Sequence, residues 1–141
     1  MTLGSNAAAR KQRNTYADTD FWVALLKGDD WLAERAEKLY SGHGDDLEVS
    51  LTVFVELFFI EEQFSFDREK AAISILEMTD ADVDDEVVFQ ASEYIDEGLN
   101  VFDAFHAALA GETILSSGKA FDEVAIERVQ LEPQPETASD E

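Results

Sequence analysis

Acidic side chains outnumber basic ones by thirty-two to ten, and a chain with a formal net charge of -22 stays ordered only if enough apolar surface offsets its self-repulsion. This one supplies it: 45% of its 141 residues are hydrophobic and 11% are aromatic. The expectation is therefore a packed domain with an acidic skin. In dilute buffer a field of that sign repels nucleic acid and favours cationic partners or divalent metals. In molar salt the Debye length falls to about 3 Å, so the skin is screened. Halophilic adaptation is the reading that best fits so many acids beside so few lysines.

Cysteine is absent, which excludes disulfides, thiolate metal sites and thiol nucleophiles and fits a reducing cytoplasm. No apolar run approaches the roughly 20 residues of a membrane span. Residues 1–15 carry Arg10, Lys11 and Arg13 and no acid, so they read as a separate N-terminal extension, either a phosphate-contacting arm or an upstream start codon or cloning remnant. Residues 132–141, rich in acids and holding both prolines, read as a disordered tail. The body, 16–131, alternates short apolar strands with helical stretches, the pattern of an α/β domain with a mostly parallel sheet. Strands are predicted near 15–17, 47–50, 113–116 and 128–131. Helices are predicted at 21–27, after Asp29 and Asp30 as a cap, and at 51–63, 67–78, 85–96 and 101–110.

Most of the acids need no explanation beyond solvation, but three sit where a solvated face does not. Asp18 ends the first strand, where open α/β folds place ligands, and is equally well placed to cap the following helix. Glu56 interrupts the apolar run LTVFVELFFI. Buried, it would pair, bind a metal or shift its pKa, whereas with Thr52 and Gln63 it would form a polar stripe. Asp103 follows Asn100 by three residues and fits either a site acid or a helix-start partner. His106, one turn on, reads as a packed or capped histidine more than a ligand or base. Brought to one crevice, the three carboxylates would repel one another unless a hard cation such as Mg²⁺ or Mn²⁺ neutralised them. Metal-assisted phosphodiester hydrolysis is the natural chemistry of such a set.

The strings YADTDFWVALLKGDD, SLTVFVELFFIEE and LNVFDAFHAALAGETILSSGKAFDEV resemble, in that order, the three signature regions of PIN-domain proteins, especially VapC-type toxins of toxin–antitoxin pairs. The resemblance implies an α/β/α sandwich around a mostly parallel four- to five-stranded sheet, Mg²⁺- or Mn²⁺-dependent cleavage of RNA, a cognate antitoxin and a homodimer. It makes Asp18, Glu56 and Asp103 the metal-holding catalytic acids, with Asp20 and Ser116 orienting the attacking water and His106 as structural support. One position departs from the pattern: Gly118 stands where the family carries a fourth acid. Asp122 could replace it only if the loop folds back, so a PIN domain acting by RNA or antitoxin binding alone is the alternative. A phosphatase of the haloacid dehalogenase type shares the opening Asp18-Thr19-Asp20, but Lys119 follows the pair Asp84 and Asp85, the reverse of the order that chemistry needs. Five of the ten Phe fall between Phe54 and Phe66, which suits a buried helix or a protein interface equally.

Overall fold

The computed structural model describes residues 15–28, 31–79 and 82–134. The first fourteen residues, Asp29, Asp30, Asp80, Ala81 and everything after Gln134 lie outside these, and with them the basic arm, the proposed cap of the second helix and most of the acidic tail. The chain divides into two compact units, one up to Asp85 and one from Glu86 onward.

In the first unit β1 (Thr15–Tyr16) pairs in parallel with β2 (Leu47–Glu48), and Ala17 N–H extends the ladder to Glu48 C=O at 2.9 Å. The chain between them forms α1 (Thr19–Lys27) and α2 (Ala33–His43), followed by a 3₁₀ turn at Gly44–Asp46. Gly28 ends α1 with φ +76°, the left-handed conformation that closes a helix at low steric cost, and its N–H bonds Ala24 C=O. After β2 come α3 (Leu51–Phe59), α4 (Glu61–Phe64) and α5 (Arg68–Met78). Asp67 caps α5 by accepting from Lys70 N–H at 3.0 Å. The single helix expected over 51–63 breaks at Ile60, whose φ of -101° and ψ of 8° leave the helical region. Trp22, Phe54, Leu57, Ile75 and Val53 are fully buried here. Each contributes about 2 kcal/mol on the ordinary scale of apolar burial. The Phe-rich stretch divides accordingly: Phe54 and Phe58 are core, whereas Phe59 is 63% exposed.

The second unit comprises α6 (Asp85–Asp96), α7 (Val101–Ala110), β3 (Thr113–Ser116), a 3₁₀ turn at Lys119–Glu123 and β4 (Glu127–Gln130). Strands β3 and β4 pair in parallel, with Leu115 opposite Val129. Val88, Ala91, Ala104 and Ala107 form its buried floor, closed by Phe105 and Phe121. Mixed helix and parallel strand are thus as expected, but the described strands form two separate pairs in place of one four- to five-stranded sheet. The reason lies in strand length: β1 and β2 span two residues each, too few for an extended ladder. No described helix is long and apolar enough to cross a membrane.

Candidate metal-binding and catalytic site

The first unit builds a carboxylate-lined cavity from three local features. The Trp22 indole N–H, fully buried, donates to Ala17 C=O at 3.3 Å and anchors the end of β1. The next residue, Asp18, takes extended backbone angles and caps α1, its Oδ1 accepting from Thr19 N–H at 2.6 Å. Thr19 is itself buried, and its hydroxyl donates to Glu56 Oε1 at 2.5 Å, linking the first turn of α1 to the middle of α3.

Asp18, Thr19, Asp20 and Glu56 line one cavity of about 280 Å³, with Val23, Leu32, Ile60 and Phe64 as its apolar walls. Asp18 and Asp20 sit at the N-terminal end of α1, where the helix dipole favours negative charge. None of the three acids has an ion-pair partner among the described residues. Oxygen donors alone, concentrated without a cation, suit a hard divalent ion in donor chemistry. Even so, no group of three or more His, Asp or Glu among the described residues is close enough to hold a metal.

Asp18 is the helix cap and also lines the cavity. Glu56 is exposed, so the costly burial of this acid does not occur, and the break at Ile60 puts Gln63 on a different helix from Thr52 and Glu56, which interrupts the expected polar stripe. The sequence pattern does not single out Thr19, because it places the start of α1 at Phe21. The available signal was its place between two acids in Asp18-Thr19-Asp20.

In the second unit Asn100 caps α7, accepting from Asp103 N–H at 2.8 Å while its own amide donates to Asp103 Oδ2 at 3.1 Å. This is a reciprocal capping arrangement, and it holds half-buried Asp103 in one orientation. His106 is exposed, which corrects the expectation of a packed or capped side chain. Ser116 ends β3, and its Oγ accepts from Gly118 N–H at 2.9 Å. The hydroxyl proton remains free to be donated elsewhere.

Asp122 is held by Arg128, with Nε–Oδ1 at 3.0 Å and Nη2–Oδ2 at 3.1 Å. The Arg128 side chain is only 7% exposed, and its Nη1 also donates to Ser116 C=O at 2.7 Å and to Glu132 at 3.0 Å. The guanidinium holds the carboxyls of Asp122 and Glu132 below the usual carboxylate range, while they push its own pKa up. Glu132, expected to begin the disordered tail, is thus tied to β4.

The family model of the PIN domain matches residues 15–127, and the chain belongs to that family, whose members are typically metal-dependent nucleases. No match was found among the curated proteins or among the solved structures.

Proposed function

We propose that the chain is an endoribonuclease of the VapC type, the toxin of a toxin–antitoxin pair, working in the cytoplasm of a halophile. The observation that carries this reading is the cavity lined by Asp18, Asp20 and Glu56 inside a PIN domain. Asp18 and Glu56 would hold Mg²⁺ or Mn²⁺, joined by Asp103 on the strength of its place in the third signature block. A divalent ion in such a site lowers the pKa of water and stabilises the charge that builds on a phosphodiester under attack. The chain's own residues set the rest. Thr19 fixes the Glu56 carboxylate, the Asn100 amide fixes that of Asp103, and Asp20 and Ser116 orient the attacking water. The α/β/α sandwich, the homodimer and the antitoxin partner belong to the same proposal, as does a catalytic body over 16–131 that does not need its two terminal segments.

A second reading has its own support. Gly118 stands where the family carries a fourth acid, and both oxygens of Asp122, the candidate substitute, bond Arg128. A PIN domain that binds RNA or antitoxin without cutting would look the same. Incubating the full chain with RNA in molar KCl, with Mn²⁺ or with EDTA, separates the two. The nuclease cuts with Mn²⁺, stops with EDTA, and loses activity in Asp103→Asn. Cleavage unchanged in that variant overturns the site, and no cleavage with any divalent ion leaves the binding reading.

A further inference from the structure

Trp31, in the turn between α1 and α2, is 88% exposed, while the only other tryptophan, Trp22, is fully buried. Packing explains Trp22 and does nothing for Trp31. The residue after it, Leu32, walls the carboxylate cavity. Leu32 and Asp20 also wall a second cavity of about 180 Å³, otherwise lined by Phe21, Ala24, Arg35, Ala36 and Leu39. The two cavities therefore share walls, and the second is apolar with one guanidinium at its side.

In molar salt, phosphate contacts lose most of their electrostatic contribution, and on a chain of charge -22 they begin weak. What remains for holding a single strand is base stacking, which is sequence-tolerant, little affected by salt and provided by aromatic and Arg side chains. We propose that Trp31 and the cavity bounded by Asp20, Leu32 and Arg35 form a base-binding subsite for single-stranded RNA beside the carboxylate cavity. Trp31 stacks on one base, and a neighbouring base enters the apolar cavity with its polar edge toward Arg35. The inference rests on the nuclease reading for its choice of ligand, while its residues lie apart from the acids that would hold metal, and Asp20 and Leu32 line both cavities.

The two tryptophans make the test direct, because only Trp31 emits from water. The full chain in molar KCl with EDTA is titrated with a short single-stranded RNA, and with inorganic polyphosphate as a backbone without bases. RNA should quench the long-wavelength emission saturably and polyphosphate should not. Trp31→Ala, whose exposed position leaves the core intact, should weaken binding of labelled RNA about tenfold, the scale of one lost stack, with Trp31→Phe restoring most of it. Arg35→Met should weaken binding in the same direction.

Quenching by polyphosphate equal to that by RNA would overturn the base subsite. So would wild-type affinity in both Trp31→Ala and Arg35→Met, or a Trp31 emission that answers to protein concentration and not to RNA, the signature of a contact between two copies. Cleavage is read separately with Mn²⁺. If RNA binding depends on Trp31 but nothing is cut, the subsite stands and the catalytic reading falls. If Trp31→Ala binds and cuts like the wild type, catalysis stands and the subsite falls.

Discussion

Among the described residues two groups of carboxylates, one in each unit, differ in what balances them. In the first unit Asp18, Asp20 and Glu56 line a cavity with only hydroxyl and backbone donors around them. In the second, Asp122 and Glu132 converge on the buried guanidinium of Arg128, which also reaches Ser116 C=O. The second group is complete as it stands, its charge offset and its oxygens satisfied. The acids of the first have no ion-pair partner among the described residues. In a chain with thirty-two acids, local density of charge alone does not distinguish the two groups; the partner that balances them does.

The strongest way to break this comparison is to remove one acid from each group. Asp18→Asn should reduce Mn²⁺-dependent RNA cleavage by more than about a hundredfold, since changes to residues that merely support metal ligands already cost about 10- to 100-fold. Asp122→Asn should leave cleavage within about twofold of wild type, because its carboxylate serves Arg128. Equal loss in both variants would erase the distinction between the groups.

Salt probes the imbalance over the whole chain. Lowering KCl from molar to millimolar should lower Tm by several degrees, as unscreened repulsion among the acids acts on the folded state first. A Tm that rises or stays level would defeat the halophilic explanation of the charge.

The contrast also shows what the sequence could and could not reveal. Helices α6 and α7 and strand β3 were legible to the residue, because each couples a clear period to a local start or stop: Asn100 before α7, Gly111 after it. The break at Ile60 was not legible, because the run from Leu51 to Gln63 holds no Gly or Pro and its geometry is settled by packing. Asp18 and Glu56 could be read as candidates from their apolar settings. The Arg128 hub could not, because its partners lie six, twelve and four residues away and meet only when the loop closes. Nothing in a charge count separates Asp122, which is held, from Asp20, which is not.

Arg128 offers a more selective test of that difference. Arg128→Met should lower Tm and deprive Asp122 and Glu132 of the guanidinium, leaving them the attraction of Lys119. In the wild type both acids have folded-state pKa values held below their unfolded ones. The stabilisation is therefore present above the unfolded pKa and is lost as pH falls through the lowered one. The Tm gap between wild type and Arg128→Met should shrink from neutral to strongly acidic pH. A gap independent of pH would mean that Arg128 acts by packing, through its bond to Ser116 C=O, and not through its charge.

The smallest expected effect lies at Gly118, where the second unit departs from its family. Its φ of -78° suits any residue, so an acid placed there incurs no backbone strain. Its Cβ, however, would meet Ser116 Oγ and the Phe121 ring, each at 3.3 Å, and Phe121 is nearly fully buried. The ring must shift by a few tenths of an ångström, so Gly118→Asp should cost about 1 kcal/mol of stability, at the low end for overpacking. Against that cost stands a fourth carboxylate beside Ser116. If metal affinity limits the natural protein, the variant should cut RNA faster at low Mn²⁺ and equally fast at saturating Mn²⁺, despite its lower Tm. Faster cutting at every Mn²⁺ concentration would place the acid's contribution in catalysis, and unchanged cutting at all of them would show that Asp18, Glu56 and Asp103 suffice without it.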